Sequence, residues 1–263
     1  MSSLFRSGIF FFVFSLPAFA ATLKVCADPD NLPYSDKAGA GFENRLAHVI
    51  GSGLHEQVQF VWARPRRGFV RERMNKGECD VLMSVPVGMR GVLVTKPYLR
   101  SSYVFVTRAD RDLDISSFDD PQLKKLKIGV QTLDDEYAPP AQALGKRGML
   151  TNIVGYEPFG KVPGKIVSDV ANGKLDTAVV WGPLAGFYAR RSRKKLRLTP
   201  VQPDHEGALP FAYDLAVGVA KNKPELVGRI NQVLAEKHRA ISLLLTSFGI
   251  PQLNSREVME ARR

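Results

Sequence analysis

The sequence has little of what builds metal centres and disulfide frameworks. It contains only two cysteines and four scattered histidines in 263 residues, which excludes a cysteine-rich zinc module and a disulfide-dense scaffold. It also lacks the nucleophile motif Gly-x-Ser-x-Gly, a phosphate-binding P-loop and the dinucleotide motif Gly-x-Gly-x-x-Gly. The common hydrolase and nucleotide-binding signatures are therefore absent.

What is present describes a basic globular chain. Hydrophobic residues make up 44% and charged residues 24%, and 37 basic against 26 acidic side chains give a net charge of +11. This composition excludes a disordered or fibrous protein. The length allows one large domain or two smaller lobes.

The first twenty residues have the three parts of a secretory signal peptide. Arg6 supplies the positive charge, residues 9–14 form a short apolar core, and residues 18–20 (Ala-Phe-Ala) match a cleavage site. We predict that 1–20 is a signal peptide and that the mature chain begins at Ala21; the alternative is an amphipathic or disordered N-terminus. Beyond this segment no stretch reaches the roughly 18 apolar residues of a transmembrane helix, so none is predicted in the mature chain.

A chain that is exported enters an oxidising compartment, which favours pairing of its two cysteines. Cys26 lies in one predicted strand and Cys79 begins another. We predict a disulfide between them; the alternative is two buried free thiols.

Strand and helix patterns alternate along the chain, which is typical of parallel βαβ units. The predicted strands are 23–27, 58–62, 80–85, 103–107, 127–130, 152–155, 176–181, 196–199 and 211–220, and the predicted helices are 42–54, 65–77, 138–144, 163–171, 183–191 and 226–245. This order predicts two α/β lobes joined by two crossovers. The first would hold residues 21–107 and 208–263, the second residues 108–207. Ligands of open α/β sheets bind beyond the carboxyl ends of the strands, so a cleft between the lobes is the expected site.

Several short segments, in this order, resemble the type II periplasmic solute-binding proteins: Gly41-Phe42-Glu43, Gly77-Glu78-Cys79-Asp80-Val81, Lys96-Pro97-Tyr98 and Gly173-Lys174-Leu175-Asp176. Longer segments are similar to one subfamily: 25–33, 41–45, 66–71, 79–86 and 95–106. That subfamily is the accessory J proteins (XoxJ and MxaJ type) encoded beside pyrroloquinoline-quinone alcohol dehydrogenases, chiefly methanol dehydrogenases. Leu99 stands where the family often has a second tyrosine.

This resemblance implies a periplasmic, non-catalytic helper without a cofactor of its own. Its partner would be a periplasmic quinoprotein alcohol or methanol dehydrogenase, with the dehydrogenase's cytochrome c as a further candidate. Two other functions stay open: a solute receptor for an ABC importer, whose ligand is unidentified, and an enzyme on the same fold that uses Glu43 as an acid or base.

The cleft candidates follow from strand ends and from the resemblance. Amino-acid binders of this fold use an arginine for the substrate carboxylate and an acid for its amine. Arg90 is the only candidate for the first role, and Trp181 occupies the expected place of the acid, so free amino acids are disfavoured. Trp181 would form the lip of the cleft or pack at the hinge. The candidates are Asp28, Asn31, Arg67, Pro86, Arg90, Tyr98, Arg100 and Trp181; the first two could instead serve local turns and caps.

A basic segment within residues 190–197 places six cations in eight residues. It consists of Arg190, Arg191, Arg193, Lys194, Lys195 and Arg197. It is either a solvated face or a surface for an acidic protein or anionic lipid, and export argues against nucleic acid.

Overall fold

The computed structural model describes residues 21–64, 68–133, 136–157 and 162–253. The predicted signal peptide, 1–20, and the predicted cleft residue Arg67 lie outside the described residues, so both stay predictions.

Short helices and strands alternate over the described chain. The strands are β1 (Thr22–Ala27), β2 (Asp30–Asn31), β3 (Ser35–Asp36), β4 (Gln57–Trp62), β5 (Val81–Pro86), β6 (Leu93–Val94), β7 (Leu99–Arg108), β8 (Ile128–Leu133), β9 (Glu136–Tyr137), β10 (Ile153–Tyr156), β11 (Thr177–Trp181), β12 (Leu196–Pro200), β13 (His205–Glu206), β14 (Leu209–Pro210) and β15 (Ala212–Val219). The helices are α1 (Phe42–Leu54), α2 (Pro139–Lys146), α3 (Lys165–Ala171), α4 (Gly182–Arg191), α5 (Pro224–Glu236) and α6 (His238–Ser247).

The main sheet runs in the order β10-β8-β11-β7-β15-β5-β1-β4. Its two ends are parallel: β1 lies between β4 and β5, and β8 lies between β10 and β11. One strand, β7, connects the two ends, since its residues 99–102 pair with β15 and its residues 103–107 pair with β11. The predicted α/β fold with two lobes is confirmed, while the residue boundaries of the lobes stay a prediction.

Each parallel end has its own hydrophobic core. Helix α1 buries Phe42, Leu46 and Ile50 completely, at the spacing that predicted a helix. These side chains belong to one cluster with residues of β1, β15, α5 and α6. At the other end the residues of β8 and α2 pack in a second cluster, and those of α3 and α4 in a third. The separate cores leave a junction around β7, β11 and β15.

Two predicted helices differ from the structure. In the described part of the helix predicted over 65–77, a single π-helical turn spans Val70–Met74. Only Phe69 and Met74 are buried there, which gives a longer helix little to pack on. The stripe over 226–245 is divided at Lys237 into α5 and α6. The turn lets both helices reach the cluster around α1.

The predicted disulfide is confirmed. Cys26 in β1 and Cys79 just before β5 are bonded, with their Cα atoms 5.4 Å apart. Both are fully buried beside Phe69, Met74 and Ala220. The bond ties a segment that has little regular structure to the central strands of this sheet.

Candidate functional site

A cavity of about 460 Å³ opens at the junction of the two cores. The carboxyl ends of β1, β5 and β11 supply Ala27, Pro86 and Trp181 to its wall. Helix α1 adds Glu43 from its first turn, and β15 adds Tyr213. The cavity therefore lies where an open α/β sheet binds its ligand, beyond the strand ends.

Three aromatic side chains form one side of this cavity. Trp181 packs edge-on against Tyr103 and Tyr213, with ring centroids 5.3 and 5.6 Å away. The backbone N–H of Trp181 donates to Oε1 of Gln131 at 2.6 Å, which fixes the start of α4. Trp181 thus lines the cleft and also packs at the junction of the lobes, so both interpretations of this residue describe it.

The polar lining side chains come from the elements around β1, α1 and β5, among apolar ones from the same elements. Asp28 and Asn31 follow β1, Glu43 begins α1, and Ser84 lies within β5; all four line the cavity. Asp28 also shapes its own loop, because its Oδ1 accepts the N–H of Asp30 at 2.9 Å. The sequence left turn chemistry and cleft contact as alternatives for Asp28, and the structure gives it both.

The environment of the cavity perturbs the pKa of Glu43. Its side chain faces the cavity but is otherwise enclosed by protein, and this burial raises its pKa from 4.5 to about 7. Repulsion from the Asp28 carboxylate adds to the rise, and a hydrogen bond from Ser84 opposes it. Glu43 therefore exchanges its proton near neutral pH.

Ser84 positions the tyrosine next to that carboxyl group. Its φ of +53° lies in the left-handed region, which a non-glycine residue adopts only when its surroundings hold it there. The Ser84 hydroxyl is 2.8 Å from the hydroxyl of Tyr98. Burial, and then the charge of Glu43, raise the pKa of Tyr98. Tyr98, a predicted cleft residue, does not itself line the cavity and contacts the lining residue Ser84 instead.

Of the predicted arginines, Arg90 and Arg100 do not line the cavity. Arg90 is exposed in the turn after β5. Arg100 binds Asp214 at 2.9 Å and Asp204 at 2.8 Å. It lies three residues from Tyr103 on the same strand, so the two side chains point to opposite faces of the sheet. The described residues that line the cavity include two carboxyl groups and no lysine, arginine or histidine.

Of the other cleft candidates, Asp28, Asn31, Pro86 and Trp181 come together in the cavity. Sequence reasoning missed lining residues from both sides of the junction: Tyr34, Met89, Tyr103, Gln131, Leu184 and Tyr213. No local signal marks them. The antiparallel register that places Tyr103 opposite Trp181 exists only in the folded sheet.

The basic segment lies on the outside, at the end of α4 and the start of β12. Three of its cations are engaged by neighbouring groups. The guanidinium of Arg191 lies 3.5 Å from the ring centroid of Phe187, Arg190 donates to the carbonyl of Thr246 at 3.2 Å, and Arg197 is 3.7 Å from Asp114. These contacts hold the segment in place.

The remaining three cations, Arg193, Lys194 and Lys195, are exposed, and we call them the basic edge. Lys194 helps to lower the pKa of Asp110. Arg193 and Lys195 have no ion-pair partner among the described residues. A groove of about 260 Å³ between α3 and α4 reaches Arg193 and Lys194, so the edge borders a concave surface.

Two further features bear on function. Among the described residues, no three histidine, cysteine, aspartate or glutamate side chains are grouped so that they could hold a metal ion. In the same residues, no helix is long and apolar enough to cross a bilayer.

Comparison with known proteins gives the family. No family model matches the sequence. Protein MoxJ of Methylorubrum extorquens is 35% identical over 252 residues, which are 89% of this chain and 82% of that protein. This chain belongs to the MoxJ family. The relationship confirms the resemblance to the accessory J proteins.

Two crystal structures of similar proteins identify the fold of the MoxJ-family chain. MxaJ from Methlophaga aminisulfidivorans MPT superimposes with a TM-score of 0.77 at 29% identity, over 88% of this chain and all of that one. The periplasmic binding protein XoxJ from Methylobacterium extorquens AM1 gives a TM-score of 0.72 at 31% identity, over 89% of this chain and all of that one. The fold is that of the two-lobed periplasmic binding proteins, and this MoxJ-family chain is an accessory binding protein.

Proposed function

We propose that this chain is a non-catalytic periplasmic protein that binds a pyrroloquinoline-quinone-dependent alcohol dehydrogenase, chiefly a methanol dehydrogenase, and aids its maturation or activation. The observation that carries this proposal is membership of the MoxJ family over 89% of the chain. The pattern of a signal peptide in residues 1–20 supports the periplasmic location.

We propose the basic edge as the docking surface. Arg193, Lys194 and Lys195 are exposed next to a groove, and the neighbouring contacts of Arg191 and Arg197 order the backbone that carries them. Exposed charge of one sign raises the association rate with a surface of opposite sign and makes binding sensitive to salt. The partner surface that fits is an acidic face of the dehydrogenase, and the dehydrogenase's cytochrome c is the second candidate.

The experiment is capture of the purified dehydrogenase by the tagged mature chain at low and high salt. Reversing all three edge charges, as Arg193→Glu, Lys194→Glu and Lys195→Glu, is expected to weaken capture at low salt by about tenfold or more. The matched control reverses Lys37, Lys76 and Lys221, which are exposed elsewhere. It makes the same change in net charge and is expected to leave capture within about twofold.

Two results would contradict the proposal at different levels. If the unchanged chain captures no dehydrogenase, and a deletion strain still makes fully loaded enzyme, the accessory function is wrong. If the edge and control variants lose capture equally, the docking surface lies elsewhere while the function stands.

The second candidate function is a solute receptor for an importer, and the cavity of about 460 Å³ favours it. A ligand that binds only the folded chain raises its melting temperature by mass action. Screening acids, amines, alcohols and the quinone cofactor by thermal shift tests the receptor, because a receptor must bind its solute and no hit in this screen would contradict it. Permease and ATPase genes beside this one would support the receptor.

A further inference from the structure

The charged side chains that line the cavity favour one class of ligand. This inference goes beyond the proposed function. Asp28 and Glu43 are the ionisable acids of its wall, and no described lining residue carries a basic side chain. A ligand carboxylate would face these acids without a cation to pair with, and burial of an unpaired charge is costly. Anions and amino-acid zwitterions are therefore poor occupants.

The aromatic side supplies the complementary interaction. Tyr103, Trp181 and Tyr213 form a continuous wall, with adjacent ring centroids 5.3 and 5.6 Å apart. The face of an aromatic ring carries negative electrostatic potential and attracts ammonium groups, most strongly for tryptophan and when water is excluded. The same rings bury the apolar part of a ligand.

An independent observation is an acceptor without a partner. The Oδ1 atom of Asn31 is buried and has no hydrogen-bond partner among the described residues, and Asn31 lines the cavity beside Asp28. An amide oxygen accepts hydrogen bonds only. The atom is closed to solvent as the side chain stands, so a ligand N–H group would satisfy it when the Asn31 side chain turns toward the cavity, and an acceptor left unpaired costs free energy.

From these three observations we propose that the cavity binds an organic cation, an alkyl- or arylalkylammonium with an apolar body and no carboxylate. A volume of about 460 Å³ suits a compact ligand of this kind. Its ammonium group would contact Glu43, Asp28 and Oδ1 of Asn31. Its apolar body would lie against the aromatic wall.

Proton linkage at Glu43 gives the site a pH dependence. The groups that face Glu43 are Asp28 from the loop after β1, Tyr34, Ser84 from β5, and Tyr98. Glu43 loses its proton as pH rises through about 7, which adds negative charge where the cation would sit. A permanently charged ligand should therefore bind more tightly at pH 8 than at pH 6.

The test is calorimetry with the purified mature chain and no dehydrogenase, so the result does not depend on the proposed function. Three probes of similar shape differ in charge: benzylammonium, benzyl alcohol and benzoate. At pH 8 we expect benzylammonium to bind about tenfold more tightly than either of the others. Benzyltrimethylammonium, which does not titrate, should bind several-fold more tightly at pH 8 than at pH 6.

Glu43→Gln tests the residue while keeping a group of similar shape next to Ser84. We expect it to weaken benzylammonium binding at pH 8 about tenfold and to abolish the pH dependence of benzyltrimethylammonium. Glu225→Gln removes an exposed carboxylate outside the cavity and should change neither. Circular dichroism and the melting temperature show that each variant is folded.

The proposal is overturned if benzyl alcohol or benzoate binds as tightly as benzylammonium. It is also overturned if none of the probes binds, or if a folded Glu43→Gln variant keeps the preference and its pH dependence.

Discussion

The cavity and the basic edge carry opposite charge in one basic chain. The net charge of the chain is +11, and six of its basic side chains lie on the outer surface within residues 190–197. The cavity wall has two carboxyl groups and no described cation. Net charge affects which molecules approach the surface of a protein. The ligand of a cavity is selected by the few side chains that the fold brings together.

The two regions also differ in how they are held. Cys26 and Trp181 of the cavity wall belong to buried clusters and take part in a disulfide and in ring packing. The three cations of the basic edge are exposed. Substitutions in the wall should therefore change stability, and those at the edge should change association alone.

The largest effect on stability is expected from loss of the disulfide between Cys26, which lines the cavity, and Cys79. Cys26→Ser opens a loop defined by a sequence separation of 53 residues, and the chain-entropy relation gives a loss of about 4 kcal/mol. Urea unfolding of the oxidised proteins measures the loss. The unchanged chain in reductant is the control and should unfold near the midpoint of the variant; two titratable thiols in the oxidised chain would show that no bond forms.

A smaller effect is expected at Arg100, a cation that belongs to neither region. It bonds Asp204 and Asp214, and its side chain is 21% exposed. Arg100→Leu leaves Asp214 without this partner, while Asp204 keeps its contact with His205 Nδ1 at 2.7 Å, and should cost about 2 kcal/mol. The control is Arg71→Leu, at a side chain 81% exposed, where chemical denaturation should show less than about 0.5 kcal/mol. Equal losses of stability in the two variants would mean that the ion pairs of Arg100 contribute no more than the exposed side chain of Arg71.

Glu43 in the cavity wall should make the stability of the protein depend on pH. The folded chain keeps the Glu43 proton up to about pH 7, whereas the unfolded chain loses it near the ordinary value of 4.5. Between these values the folded state binds more protons, so stability falls as pH rises. Because Glu43 faces the cavity, we expect Glu43→Gln to be more stable by about 2 kcal/mol at pH 8 and equal to the unchanged chain at pH 4. Unfolding curves at both pH values measure this, and an equal gain at pH 4 would contradict it.

The smallest effect on stability is expected at the basic edge. Reversing Arg193, Lys194 and Lys195 together should change the free energy of unfolding by less than about 0.5 kcal/mol. The same variant should lose capture of the dehydrogenase. A large loss of stability in thermal unfolding would contradict the separation of wall and edge.

Much of the fold was predictable from local patterns. Helix α1 was predicted because Phe42, Leu46 and Ile50 recur at helical spacing, and the disulfide because Cys26 and Cys79 belong to predicted strands of a chain that was predicted to be exported. The division of the 226–245 stripe at Lys237 was not predictable, because no glycine or proline marks it. It follows from packing against α1.

The α/β alternation, the family and the location of the excess positive charge could all be predicted from the amino-acid order. These properties depend on neighbours along the chain, on segment order and on composition. The set of side chains that share the cavity could not be predicted in this way. Strand pairing places Tyr103 opposite Trp181 and the alternation along β7 turns Arg100 away, and both depend on contacts between residues that are distant in sequence. The physical character of the site, aromatic and acidic instead of arginine-lined, is therefore a property of sheet register.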